Sequence, residues 1–113
     1  MDNPHSFHDP QYNPIFDKVT SLQYKFHDIT KGAAASHPTT RAMQNEIHQL
    51  LRDVTVERSA HTLNNRIATI QRELKDTQIS AAPVIDFKSQ NILYTGFDSL
   101  HKDVNNFHPR VQQ

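Results

Sequence analysis

The chain has 113 residues, 12 basic and 12 acidic side chains and no cysteine. That length bounds it to one domain with a single core, and the missing cysteines exclude disulfides and thiolate chemistry within it. Leu, Ile, Val and Phe make up 27 of the 113 residues, above the roughly one-fifth level below which chains stay disordered, so a folded body is expected. No apolar run approaches the roughly twenty residues that span a bilayer, and no charged-then-apolar leader opens the chain. The sequence therefore predicts a cytoplasmic protein with no membrane insertion. Between Thr39 and Gln78, six basic residues alternate with five acidic ones, so no electropositive face for phosphate backbones is visible and nucleic acid is excluded as a partner.

Residues 1–13 contain two prolines, and Pro14 follows at once. They read as an extended N-terminal arm anchored by Phe7 and Tyr12. A single helical domain is expected over 14–107 and a tail over 108–113. The first helix is predicted at 14–31, with Asn13 as cap, Pro14 at its first position and Gly32 ending it. Ile15, Val19, Leu22, Phe26 and Ile29 form its apolar ladder, Phe16 widens it, and Tyr24 falls off that stripe. The small link to Pro38 predicts an antiparallel return onto residues 40–55.

The stretch 39–78 has neither Gly nor Pro and reads as one long central helix. Met43, Ile47, Leu50 and Val54 keep one stripe, but Val56, Ala60, Leu63, Ile67, Ile70 and Leu74 keep a rhythm one position earlier. A one-residue slip turns the apolar face by about 100°. Either a continuous rod offers two faces, or the helix breaks at Thr55, Ser59 caps a new start, and the halves pack as a four-helix monomer. The continuous rod is the expectation adopted. It leaves Leu51, Val54 and Val56 uncovered where the flanking helices run out. Together with Tyr24 these residues form the candidate partner or self-association surface, and a homo-oligomer, most simply a two-fold dimer, is expected there.

Residues 79–83 read as a connector. Residues 84–95 are read as leading into a last helix rather than forming a hairpin, with Ser89 as cap, a ladder through Leu93, Phe97, Leu100, Val104 and Phe107, and Pro109 as stop. The fold class is thus all-α: an antiparallel helical bundle of three to four helices with a long central one. The layout of short helix, tight return and longer helix with Ile-His-Gln-Leu-Leu at 47–51 resembles the helical N-terminal domains of syntaxins. No motif specific to that family accompanies it, and the resemblance implies a helical bundle and no more.

Eight histidines raise the question of metal. His5 and His8, with Asp2 and Asp9, lie on an arm without rigid scaffold, whereas metal sites need ligands at fixed geometry. Glu57 and His61, four apart, form no known ligand motif and read as a local hydrogen bond. With two glycines no phosphate loop can be written, and no nucleophile turn is present. No catalytic residue, cofactor or metal is assigned. The function predicted is a non-enzymatic helical protein–protein interaction module, an adaptor or complex subunit. The first alternative is a small helical chaperone or regulator that binds a partner helix in an apolar groove. The second is a metal-binding helical protein.

Overall fold

The computed structural model of the chain describes residues 10–32, 36–78 and 85–106, with backbone alone at 77 and 78. Phe7 and most of the expected arm, the 79–83 connector, Phe107 and the tail lie outside the described residues. Four helices run in chain order: α1 (Tyr12–Thr30), α2 (Pro38–Thr55), α3 (Ala60–Gln78) and α4 (Phe87–Asn105). Among the described residues there is no strand, and the 84–95 hairpin alternative gives way to helix from Phe87 onward.

The long central helix is two helices, and its end is built without a breaker residue. Val56 closes α2, and Glu57 follows with φ +57°. The Glu57 N–H donates to the Val54 carbonyl at 3.0 Å and the Arg58 N–H to the Asp53 carbonyl at 2.9 Å. This double closure satisfies carbonyls that the helix end leaves free, and it ordinarily uses glycine at the left-handed position. The β-branched run Val54-Thr55-Val56 loses side-chain freedom in a helix, which weakens continuation. Ser59 then starts α3, its Oγ accepting from the Thr62 N–H at 3.2 Å. The turn resets the phase, so α3 folds back and its stripe faces the same core as that of α2.

Other ends follow similar rules with shifted residues. α1 begins two residues before its expected start. Asn13 lies inside it rather than capping it, because proline lacks an N–H that the first turn has no use for. Gly32, at φ +93°, follows its end. The His37 ring nitrogen caps α2 by accepting from the Thr39 N–H. At α4 the cap is Asp86, whose carboxylate accepts from Ser89, the residue expected to do the capping.

The helices pack in the cyclic order α1, α2, α3, α4, each against its two neighbours. Across α1/α4, Lys18 bonds Ser99 and Asp103, while Leu22 lies on Gly96. Across α3/α4, Asn64 bonds Asn105 and Gln71 bonds the Tyr94 carbonyl. Low numbers meet high ones in both cases, so these pairs are antiparallel. A β-carbon on Gly96 would come 2.5 Å from Leu22 Cδ2, so the Leu22 methyl occupies the space that a side chain here would need. The core joins the four ladders: Ile15, Val19, Leu22 and Phe26; Met43, Ile47, Leu50 and Val54; Leu63, Ile67, Ile70 and Leu74; Leu93, Phe97, Leu100 and Val104. The sequence assigned all of these to apolar stripes.

Candidate interaction surface

The four residues singled out from the sequence separate in space. Val54 is 1% exposed and belongs to the core, and Leu51 is partly buried against it. Val54 is therefore no surface residue: the broken helix brings α3 over it, and the junction that a rod would leave bare is closed within the chain. Tyr12 reinforces the closure, its hydroxyl donating to the Arg58 carbonyl at 2.8 Å and to that of Glu57 at 3.3 Å. Val56 stays 52% exposed on the turn, as an isolated side chain of the kind any soluble surface carries. Tyr24, on the middle of α1, is 71% exposed.

Tyr24 borders a groove between α1 and α2 of about 280 Å³. Its floor is Phe26 and Ile47, both nearly fully buried. Its rims are Gln23, Tyr24 and His27 from α1 and Gln44 and His48 from α2. The α1 set follows from helical spacing. Gln23 and His27 stand one residue beyond core Leu22 and Phe26, which turns them toward the α2 flank. No carboxylate lines this groove.

The acidic residues of α2 lie on its opposite flank. Glu46 and Asp53 are seven apart, hence on one side of the helix, and both meet Arg66 of α3. Its Nη1 donates to Glu46 Oε1 and its Nε to Asp53 Oδ2, each at 3.2 Å. Asp53 is only 4% exposed and also accepts from Gln49 Nε2 at 3.3 Å. Burial works against the charged Arg66 guanidinium, but its bonds to Glu46 and Asp53 outweigh that and raise its pKa. Further along the same seam Glu73 has a raised pKa, first because burial penalises the carboxylate and next because Glu46 repels it; Arg72 partly opposes both.

A second, wider groove of about 520 Å³ runs between α1 and α4, lined by Pro14, Asp17, Lys18, Ser21, Leu22, Lys25, Gly96 and Ser99. Both charge signs line it, and Lys18 is already held by Asp103. His61 and Glu57, expected to share a helix face, do not: Glu57 sits in the turn, and the His61 ring lies 3.3 Å from the Asn65 amide nitrogen. Among the described residues no three His, Cys, Asp or Glu side chains group so as to hold a metal ion. No described helix is long and apolar enough to cross a membrane.

The sequence singled out Tyr24 but missed the groove beside it, because Gln23, His27, Gln44 and His48 are ordinary polar residues until α1 and α2 are docked. No family model, characterised protein or solved structure matches this chain. The likeness to syntaxin N-terminal domains has no counterpart in these comparisons and carries nothing further.

Proposed function

We propose that this four-helix bundle is a non-enzymatic protein–protein interaction module, a subunit or adaptor that offers the α1/α2 groove to a partner protein in the cytoplasm. The observation that carries this reading is Tyr24: an aromatic side chain 71% exposed on the lip of a groove floored by Phe26 and Ile47. Tyrosine buries a large area on binding while its hydroxyl stays wet or bonded, and it is enriched at the centres of protein interfaces. The groove between two helices also suits the alternative of a small chaperone or regulator that holds a partner's helix. Self-association through Leu51 and Val54 forms no part of this reading, since Val54 belongs to the chain's own core and Leu51 is partly buried against it.

The test is a photo-crosslinking amino acid at position 24, with position 102 on the exposed face of α4 as control, each expressed in the native host. Discrete protein adducts at 24 and none at 102 are expected. Equal adducts at both positions, or none at 24, would overturn the reading.

A further inference from the structure

We infer that the core of the bundle contains a hydration site: one water molecule held between Thr40 Oγ1 of α2 and Gln90 Oε1 of α4. The site lies inside the fold and stands independently of the interaction-module reading.

The apolar ladders give out at one end of the bundle. One rung past Phe26 on α1 comes Thr30, one rung before Met43 on α2 comes Thr40, and one rung before Leu93 on α4 comes Gln90, at steps of four, three and three that keep each on its core-facing stripe. All three are buried, Thr40 and Gln90 to 1% exposure. They also share a level. α1 ends at Thr30, while Thr40 and Gln90 lie in the first turns of α2 and α4. Arg66 ties α3 to Glu46 and Asp53 of α2, and Asn64 and Gln71 tie it to Asn105 and Tyr94 of α4. Counted along the helices from these ties, Thr40 and Gln90 fall at the same height against α3 to within about one turn.

These side chains differ in what their polar atoms bond. Thr30 donates its hydroxyl to the Phe26 carbonyl at 2.8 Å, the ordinary bond to the turn before. Thr40 stands too near the start of α2 for that, since the residue four before it precedes the helix. Gln90 Nε2 donates to the Ile85 carbonyl at 2.7 Å, which fixes the amide and leaves Oε1 as an acceptor. Thr40 Oγ1 and Gln90 Oε1 are buried and bond no protein atom. Leaving one such group bare costs about tenfold or more in the folding equilibrium, so folded proteins supply such groups with water.

The available partners suit water. The hydroxyl can donate or accept, the amide oxygen accepts, and the last turn of α1, which ends at this level, leaves carbonyls without an intrahelical donor. Water bonds several such groups at once. The three polar side chains of the layer are neutral, so nothing in it offsets the cost of burying an ion. Adjacent helix axes lie about 8–10 Å apart, hence diagonal ones about 11–14 Å apart. α2 and α4 are diagonal here, and a short threonine with a long glutamine spans most of that width. One water fills the remainder and links two helices that do not pack on each other.

The test is made on the full chain. Magnetic relaxation dispersion of the water oxygen counts long-lived internal waters without interference from exchanging hydroxyl protons. Water cross-relaxation to the methyl groups of Met43, Ile85 and Leu93, buried side chains that flank the layer, locates one of them. The variants are Thr40→Val, Gln90→Leu and the two combined, with urea denaturation as a second reading. Wild type should show long-lived water with cross-peaks at those methyl groups, and the double variant should lose one water per chain. Each single variant should lower the folding constant about tenfold, because it strands the partner across the core. The double variant strands neither, so its loss should fall well short of the product of the two.

Wild type without a long-lived water, or with one that gives no cross-peak at Met43, Ile85 or Leu93, overturns the inference even if no variant folds. A folded double variant that keeps the full dispersion, or single effects that simply multiply, overturns it as well.

Discussion

Replacing Glu57 by glycine should stabilise the protein, although the same change in the middle of a helix destabilises it. Glu57 holds φ +57°, where a residue with a β-carbon crowds its own carbonyl at a cost of about 1–2 kcal/mol. Glycine removes that strain but adds about 0.5–1 kcal/mol of conformational entropy to the unfolded chain. The two closing bonds, from Glu57 and Arg58 to the carbonyls of Val54 and Asp53, involve backbone only and survive the substitution. The expected net is a gain of roughly 0.5–1 kcal/mol, and 1 kcal/mol raises the melting temperature of a domain this size by about 4–8 °C. Ala68→Gly, at an exposed position inside α3, serves as control and should cost about 1 kcal/mol. Urea denaturation and thermal melts of the two variants decide the matter. If Glu57→Gly is as costly as Ala68→Gly, residue 57 is helical and the chain has one continuous rod where α2 and α3 are described.

Other substitutions probe the core and the charged seam. Leu50→Ala and Ile67→Ala remove fully buried side chains and should each cost roughly 2–5 kcal/mol; values below about 1 kcal/mol at both would mean that the buried stripes are misassigned. Val54→Glu should unfold the chain rather than release a folded monomer from a dimer, since burying an unpaired charge is among the few mechanisms that cost more than about 4 kcal/mol; sedimentation equilibrium with circular dichroism separates these outcomes. Arg66→Met leaves the Asp53 carboxylate buried with Gln49 as its remaining side-chain donor and should cost about 2–3 kcal/mol, most of it recovered by adding Asp53→Asn. For Glu73 the folded pKa is raised, so its contribution to stability is present below the unfolded value and is lost as pH rises through the folded one. Glu73→Gln should accordingly stabilise at about pH 7 and make little difference at about pH 4; a variant that gains stability at acid pH and not at neutral pH would reverse the sign.

How far the fold could be read from the sequence depended on what kind of residue marks each feature. The core was legible nearly residue by residue, because burial selects apolar side chains at helical spacing; the exceptions lie at the stripe edges and ends, where Ile29 and Ala60 are partly buried and Phe16 and Val56 are exposed. The long-helix expectation failed because it looked for the end of α2 in a glycine or proline, and this chain ends the helix with glutamate. The one-residue slip between Val54 and Leu63 was the informative sign. Two stripes about 100° apart cannot face one core from a straight rod, whereas a left-handed turn between them lets both do so. Given a chain with room for one core, the slip argued for the break more strongly than the absence of Gly and Pro argued against it. The same error put Val54 on the surface.

The candidate site was less legible, for a reason that concerns charge rather than hydrophobicity. A count along the chain averages over all flanks of a helix, and on that count the charges of residues 39–78 nearly cancel. Periodicity carries more. Glu46 and Asp53 are seven apart and fall on one side of α2, while Arg41, His48 and Arg52 are separated by seven and four and fall on another. That separation is present in the sequence, but its meaning depends on which side meets α3, and the apolar ladder alone does not say which neighbour lies left or right of the core. Arg66 resolves it. By binding both acids it assigns one flank of α2 to the internal seam, while Gln44 and His48 take the other flank beside Gln23 and His27 of α1. The acids of α2 are thus committed to holding it against α3, and for that reason none of its carboxylates lines the groove on the other flank. Disrupting that network at Arg66 should thus free two carboxylates of α2 and loosen its docking on α3, a loss of stability that urea denaturation would register and that an unchanged midpoint would refute.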